Sequence, residues 1–477
     1  MFGKERRLKP AVKGILLAWS AMAVSGQMAP SIVPDPSIEK IVSEISQDNI
    51  AGAMKRLAAF ETRGNFTDPT QKDRGIGAAR RWIYDEFRSY SPRLEVSYDV
   101  HKVKKQGTRI LRDVEVVNVV AVLPGTTQAD RRVIVAGHYD SLAIVRKPGA
   151  PAPGAEGGDT ADDVNDFEKS VVAPAPGVTD DASGTALVME LARVMSKFQF
   201  EKTIVFIAFG GEEIGLIGSS LYADKAKKQG QQIEAVLNND IVGCEVAGNG
   251  RAESRMVHVF SDDPDDSPSR ELARYVRSCA QRYVPGFQAQ PIFRPDRFAR
   301  GGDHTPFNAN GFAGIRFTSV AENLEVQHTA KDTMDVASPG YTTSVARVNA
   351  AAAASLALAP SAPLTVREIT TGSAKGRKVP NLGRGKSRYD AVLRWKDDKP
   401  AADLAGYAVV VRSTTAPYWD HEIFVGKVTE YTMQGVDIDE IVLGVKAIDQ
   451  QGHESLIAPY VAAPYPRRTI EVADDEK

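Results

Sequence analysis

Across residues 114–358 short β-forming runs alternate with helical ones, and this alternation constrains the fold more than any other feature of the chain. The strand-like runs are "VEVVNVVAVL", "RRVIVAGHYD", "TIVFIAF", "IEAVLNND", "RMVHVFSD" and "AGIRFTS". Between and after them lie "ALVMELARVMSKF", "SSLYADKAKKQ", "SRELARYVRSCAQRY" and "SVARVNAAAAASLAL", with apolar residues at three- and four-residue steps. Near-continuous Val in the first run suits a strand buried on both faces. The pattern predicts an α/β domain with a mostly parallel central sheet flanked by helices. Two helical runs, "IEKIVSEISQDNIAGAMKRLAAF" and "IGAARRWIYDEFRSY", and a strand, "RLEVSYDV", precede it.

The rhythm stops after Pro360. "RYDAVLRWKD", "AGYAVVVRST", "HEIFVGKV", "TEYTMQGV", "EIVLGVKAID" and "SLIAPYVAA" are short strands with turn residues between them, which predicts a β-sandwich. "LRW" and "GVKAIDQQGHES" resemble a fibronectin type III domain. The N-terminus carries a basic stretch, "MFGKERRLKPAVK", then the apolar "GILLAWSAMAV" and small residues up to Gly26. That order predicts a secretory signal peptide, with an uncleaved anchor as the alternative. The domain assignment is therefore 1–26 signal peptide, 37–359 α/β domain and 361–467 fibronectin type III-like sandwich. Residues 146–177, rich in Pro, Ala and Gly, form an inserted loop. The expected location is secreted or periplasmic, with no stable membrane insertion after signal cleavage. A formal net charge of −2 argues against a nucleic-acid partner, which calls for a basic surface. In an oxidising compartment Cys244 and Cys279 have two readings, a disulfide or two buried thiols.

Acids and histidines recur where predicted strands end. "VAGHYDS" supplies His138 and Asp140, "GVTDDASG" Asp180 and Asp181, "FGGEEIG" Glu212 and Glu213, "LNNDIVG" Asp240, and "VQHTAKDT" His328. Taken singly, each has an ordinary explanation. Asp or Thr before a helix satisfies free amides, and paired acids favour a helix N-terminus. Taken together, they converge, because ligands bind beyond the carboxyl ends of parallel strands. Converging carboxylates repel one another unless a cation joins them. Two histidines with an excess of carboxylates suit hydrolytic zinc, and a two-metal site in particular. Cobalt and manganese also fit such ligands.

"GHYDS", "DDASG", "EEIGLIGS", "NNDIVG" and "HTAKDT" resemble the successive motifs of the co-catalytic zinc aminopeptidases of the MH clan, over roughly residues 38–358. "ETRGNFTD" followed by "GIGAARRWIYDEF" resembles the N-terminal pattern of that family. The resemblance implies two Zn2+ ions bridged by Asp180, with His138 and Asp240 completing one shell and Glu213 and His328 the other. It implies Glu212 as general base and Asp140 as the carboxylate behind His138. "GGDHTPF" resembles a further family motif and puts Asp303 and His304 near the cleft. The implied activity is an exported exopeptidase acting on peptide substrates, an aminopeptidase first. A carboxypeptidase of the same clan and a glutaminyl cyclase are the alternatives. The spacing from His138 to Asp180 exceeds that of the compact secreted members because of the inserted loop.

Overall fold

The computed structural model describes residues 33–149, 165–170, 172–296, 301–372 and 375–461. The expected signal peptide, the middle of the inserted loop and the end of the expected sandwich lie outside the described residues.

The centre is an eight-stranded sheet in the order β1-β2-β4-β3-β5-β8-β6-β7. Its strands are β1 (Glu95–Val103), β2 (Val114–Leu123), β3 (Gln128–His138), β4 (Lys202–Phe209), β5 (Gln232–Asn239), β6 (Met256–Ser261), β7 (Gln288–Ile292) and β8 (Gly314–Ser319). The neighbours β4, β3, β5 and β8 run parallel. The sheet is thus mostly parallel at its centre, as expected, while on the flanks β2 is antiparallel to β4 and β6 to β8. β7 was not expected at all. "QAQPI" has neither a Val-rich run nor a helical repeat, and it pairs only with β6.

Period-2 alternation divides the central strands between two apolar layers. Val133, Val135, Ile204, Phe206 and Ala208 join the larger core, whereas Ile134, Ala136, Val205, Ile207 and Phe209 join the smaller one. The larger layer is covered by helices Pro36–Ser43, Gln47–Ala58, Gly75–Tyr90, Ser183–Met195, Pro268–Tyr283 and Pro339–Leu358. Ala350–Ala354 in the last of these are all fully buried, so small side chains bring that helix close to its neighbours. Helix Ile217–Lys228 and the short helix Thr305–Ala309 cover the other layer through Tyr222, Ala223, Ala226 and Phe307.

Beyond a two-stranded antiparallel ribbon of Val366–Glu368 and Lys378–Pro380, the C-terminal part has antiparallel sheets of three and four strands. They enclose a separate core in which Trp395 meets Tyr407 edge-on at 5.5 Å. It docks on helix Pro268–Tyr283 through polar groups. The Arg274 Nε donates to the Pro417 carbonyl at 2.7 Å, and the Trp419 indole donates to Glu271 at 2.8 Å. Arg412, fully buried, pairs with Asp265 at 2.9 Å and with Asp266. His453 bridges the two parts, with Nδ1 2.7 Å from Asp449 and Nε2 2.8 Å from Asp35. Cys244 and Cys279 are both buried and unpaired, which settles the disulfide reading against a bond. Burial pushes their thiols up to about 11 and about 12.

Two outcomes test this packing. A Cβ at Gly184 would lie 2.3 Å from the Asn239 carbonyl and 2.4 Å from Asp181, whereas one at Gly52 meets nothing within 4 Å. Gly184→Ala is expected to destabilise by about 3 kcal/mol, and Gly52→Ala, in a helix interior, to stabilise by about 0.5–1 kcal/mol in urea unfolding. At His453 burial opposes the imidazolium, but Asp449 and Asp35 outweigh it and raise the group above 6.5. Its contribution is complete below 6.5 and is lost as pH rises through the higher folded value. Thermal midpoints of His453→Gln should therefore lose that fall above neutral pH.

Candidate metal centre

The carboxyl ends of β3, β4 and β5 lie side by side, and the loops leaving them bring the site together. β3 ends on His138, β4 leads into Glu212 and Glu213, and β5 is followed by Asp240. Asp180 comes from the turn Val178–Ala182, before helix Ser183–Met195; the Asp180–Asp181 peptide bond is cis. His328 comes from the long connection after β8 and has a left-handed backbone (φ 53°). The turn after β4 needs glycine at Gly211, where φ is 76°.

These groups form two clusters, His138–Asp180–Asp240 and Asp180–Glu213–His328, whose ligand atoms all lie within 4.8 Å of one another. Asp180 belongs to both. Its Oδ1 is 3.2 Å from His138 Nε2 and its Oδ2 is 3.0 Å from His328 Nε2. Asp240 Oδ1 stands 3.8 Å from His138 Nε2, and Glu213 Oε2 3.3 Å from His328 Nε2. His138 Nε2 and Glu213 Oε1 are buried without a hydrogen-bond partner. Orphaned buried donors of this kind, nitrogen and carboxylate oxygen in one place, fit a zinc-type cation. Glu212 lines the same cleft, about 340 Å³ in volume, with Arg109, Leu216 and Gly301 at its walls.

The electrostatics reflect crowding. Burial opposes ionisation of Asp180, yet His138 and His328 hold it well below the usual carboxylate range. Burial also opposes the His138 imidazolium, but Asp140, Asp180 and Asp240 hold it well above its ordinary value. His328 is raised chiefly by Glu213. Burial raises Glu212 strongly, and the neighbouring Asp240, Glu213 and Asp303 add to it. For Asp240 the buried guanidinium of Arg316, 3.1 Å away, overcomes burial and lowers the carboxyl.

Asp140 does more than support the imidazole. His138 Nδ1 lies 3.1 Å from the Asp140 carbonyl and 3.6 Å from its carboxylate. The carboxylate instead accepts from the amides of Glu212 (3.3 Å) and Glu213 (3.1 Å) and from Asn65 (2.7 Å). The tautomer is thus set by a backbone oxygen, and the acid fixes the Glu212–Glu213 turn. Asp303 and His304 are buried, but neither belongs to the two clusters. Burial pushes Asp303 up to about 7.

Asp181 stood in the sequence motifs without a role, and Asp332, Arg63 and Asn118 were not singled out there; all four hold the loops of the site. Asp332 accepts from the amides of Thr179 (2.9 Å) and Asp180 (3.0 Å) and from the Thr179 hydroxyl (2.8 Å). Asp181 accepts from the amides of His138 (3.1 Å), Gly184 (2.9 Å) and Ile241 (3.2 Å), tying β3, the helix and the β5 loop together. The guanidinium of Arg63, wholly buried, donates to the carbonyls of Tyr139, Leu57, Pro176 and Gly177. Burial pulls its guanidinium down to about 10. Asn118 bridges both ends of the glutamate turn, accepting from the Gly210 amide and donating to the Gly218 carbonyl. A lone polar residue inside an apolar run, as in "VVNVV" and "GIRF", was the available signal for Asn118 and Arg316.

A peptidase family M28 model matches residues 118–353. A probable zinc metalloprotease of Leptosphaeria maculans is 34% identical over 445 residues, covering 87% of this chain and 94% of its own length. A probable zinc metalloprotease of Pyrenophora tritici-repentis is 32% identical over 470 residues, covering 92% and 89%. Among solved structures, the LapA aminopeptidase of Legionella pneumophila is similar at a TM-score of 0.50 and 22% identity, covering 70% of this chain and 78% of that one. That likeness bears on the fold alone. Fold, clustered ligands and sequence likeness together define a zinc metallopeptidase. The chain belongs to peptidase family M28.

The role of Asp332 is testable without substrate. Asn in its place sets an amide N–H against a backbone donor in any rotamer. Asp332→Asn should destabilise the metal-free chain by about 2 kcal/mol in urea unfolding near pH 7.5.

Proposed function

We propose that this chain is an exported zinc aminopeptidase that removes N-terminal residues from peptides. The observation that carries the reading is the shared carboxylate: Asp180 faces His138 with one oxygen and His328 with the other. On this reading His138, Asp180 and Asp240 hold one ion, and Asp180, Glu213 and His328 hold a second. Zinc at these clusters supplies Lewis acidity that lowers the pKa of a nucleophilic water and polarises the scissile carbonyl. Glu212 borders the cleft without belonging to either cluster, so its carboxylate is left to take the proton of the attacking water. It then returns the proton to the leaving amine. The Glu212–Glu213 turn is held by Asp140 and Asn118, which fixes the base relative to its ligating neighbour. The aminopeptidase preference draws support from the resemblance of the motifs to that family. Export rests on the N-terminal pattern, and residues 1–26 would be absent from the mature chain. The β-rich C-terminal part retains its likeness to a fibronectin type III domain as a proposal.

The test uses paired chromogenic substrates, with and without an N-acetyl group, across leucine, alanine and glutamine. Chelator-sensitive cleavage of the free-amine members alone is expected. Cleavage of acetylated members alone would replace the reading with a carboxypeptidase. Glu212→Gln should lower kcat by about 10²–10⁴-fold while zinc content stays at the wild-type level. Loss of zinc in that variant would make Glu212 a ligand instead of the base.

A further inference from the structure

We propose that Arg109 binds a carboxylate on the leaving portion of the substrate, making dipeptides, or peptides with Asp or Glu after the scissile bond, the favoured class. The inference rests on the peptidase reading above, with Glu212 as base. Arg109 sits on the loop between β1 and β2, away from every motif used so far. It lines the cleft together with Asp180, Glu212, Glu213, Asp240 and His328. Among the described residues of that lining it is the sole Arg or Lys. An arginine presents a planar cationic fork that matches a carboxylate.

The loop is held so that the residue stays at this wall. Its stem is closed by Lys104 Nζ to Asp113 at 2.6 Å and by the Lys105 amide to the same carboxylate at 3.0 Å. Its tip folds back through the Gln106 amide to the Ile110 carbonyl at 3.1 Å. Ile110, next to Arg109, is 4% exposed and packs in one apolar cluster with Phe66, Val116 and Ile214. Ile214 directly follows Glu213, so the loop and the glutamate turn share a foundation. Arg109 is thereby anchored, through Ile110, to the wall of the cleft that carries the Glu212–Glu213 turn. The leaving amine must depart beside the base that protonates it. The group that follows that amine then meets Arg109. A structural duty is excluded by exposure, since an exposed arginine contributes little to stability.

The experiment compares kcat/KM of the zinc-loaded full chain and of Arg109→Gln on three substrates. These are Leu-Leu, Leu-Leu-amide and Leu-Asp-amide, with Arg109→Lys as the conservative variant. Wild type should favour at least one of the carboxylate substrates over Leu-Leu-amide by about tenfold. Arg109→Gln should abolish that ratio and Arg109→Lys restore part of it, the change residing in KM. Preference for Leu-Leu identifies the terminal carboxylate, and preference for Leu-Asp-amide identifies an acidic side chain; either supports the proposal. An equal fall on all three substrates, or an unchanged ratio, overturns it while leaving the aminopeptidase reading intact. Failure of wild type to cleave any free-amine substrate defeats the aminopeptidase reading itself, and this proposal with it.

Discussion

The architecture turns on buried like charge at one end of the sheet. Asp140, Asp180, Asp181, Asp240 and Asp303 are each less than 5% exposed and lie at the carboxyl ends of neighbouring strands or in the loops beside them. Carboxylates so placed would take up protons or push the strands apart unless every one is answered. Asp181 and Asp332 are answered by backbone amides, Asp140 by amides and Asn65, and Asp240 by Arg316. Asp180 and Glu213 face the two histidines and form the shared part of the two ion sites, whereas burial pushes Asp303 up to about 7. The same network that relieves repulsion therefore defines where ions go. Arg63 closes the base of this region by collecting carbonyls from three separate segments.

The inserted loop gains meaning from the same region. Its described end, after residue 164, forms a short helix at Phe167–Ser170 and then runs beneath the site. The Ala175 amide donates to the Glu61 carbonyl at 2.9 Å, and the Ser141 hydroxyl donates to the Ala175 carbonyl at 2.8 Å. Pro176 and Gly177 carbonyls are held by Arg63. This part of the loop is a strap leading into the Asp180 turn.

Much of this was legible in the sequence, and the reasons are physical. Strands β2 to β5 and β8 announced themselves because each faces apolar layers on both sides. The acids and histidines were visible because they interrupt strong apolar runs at strand ends. Direction along the sheet was not visible. The antiparallel flanks depend on where loops return, which no local pattern encodes, and β7 is too short and mixed to show a period. The supporting polar groups were also hidden, because Asp332, Asn65 and Arg63 act through backbone partners far away in the chain. Their motifs had been singled out, yet only folding reveals which atoms they serve. Asp140 shows the difference well: its place beside His138 was readable, but its grip on the Glu212–Glu213 turn was not.

The central claim is that one carboxylate, Asp180, organises two ion sites that otherwise draw on separate ligands. The direct test is zinc stoichiometry by elemental analysis of the folded chain after equilibration with excess zinc and removal of unbound metal, compared among single variants. The account predicts two ions per wild-type chain, one in His328→Ala, and less than one in Asp180→Ala with the fold retained by circular dichroism. Two tightly held ions in Asp180→Ala, or two in His328→Ala, would contradict it.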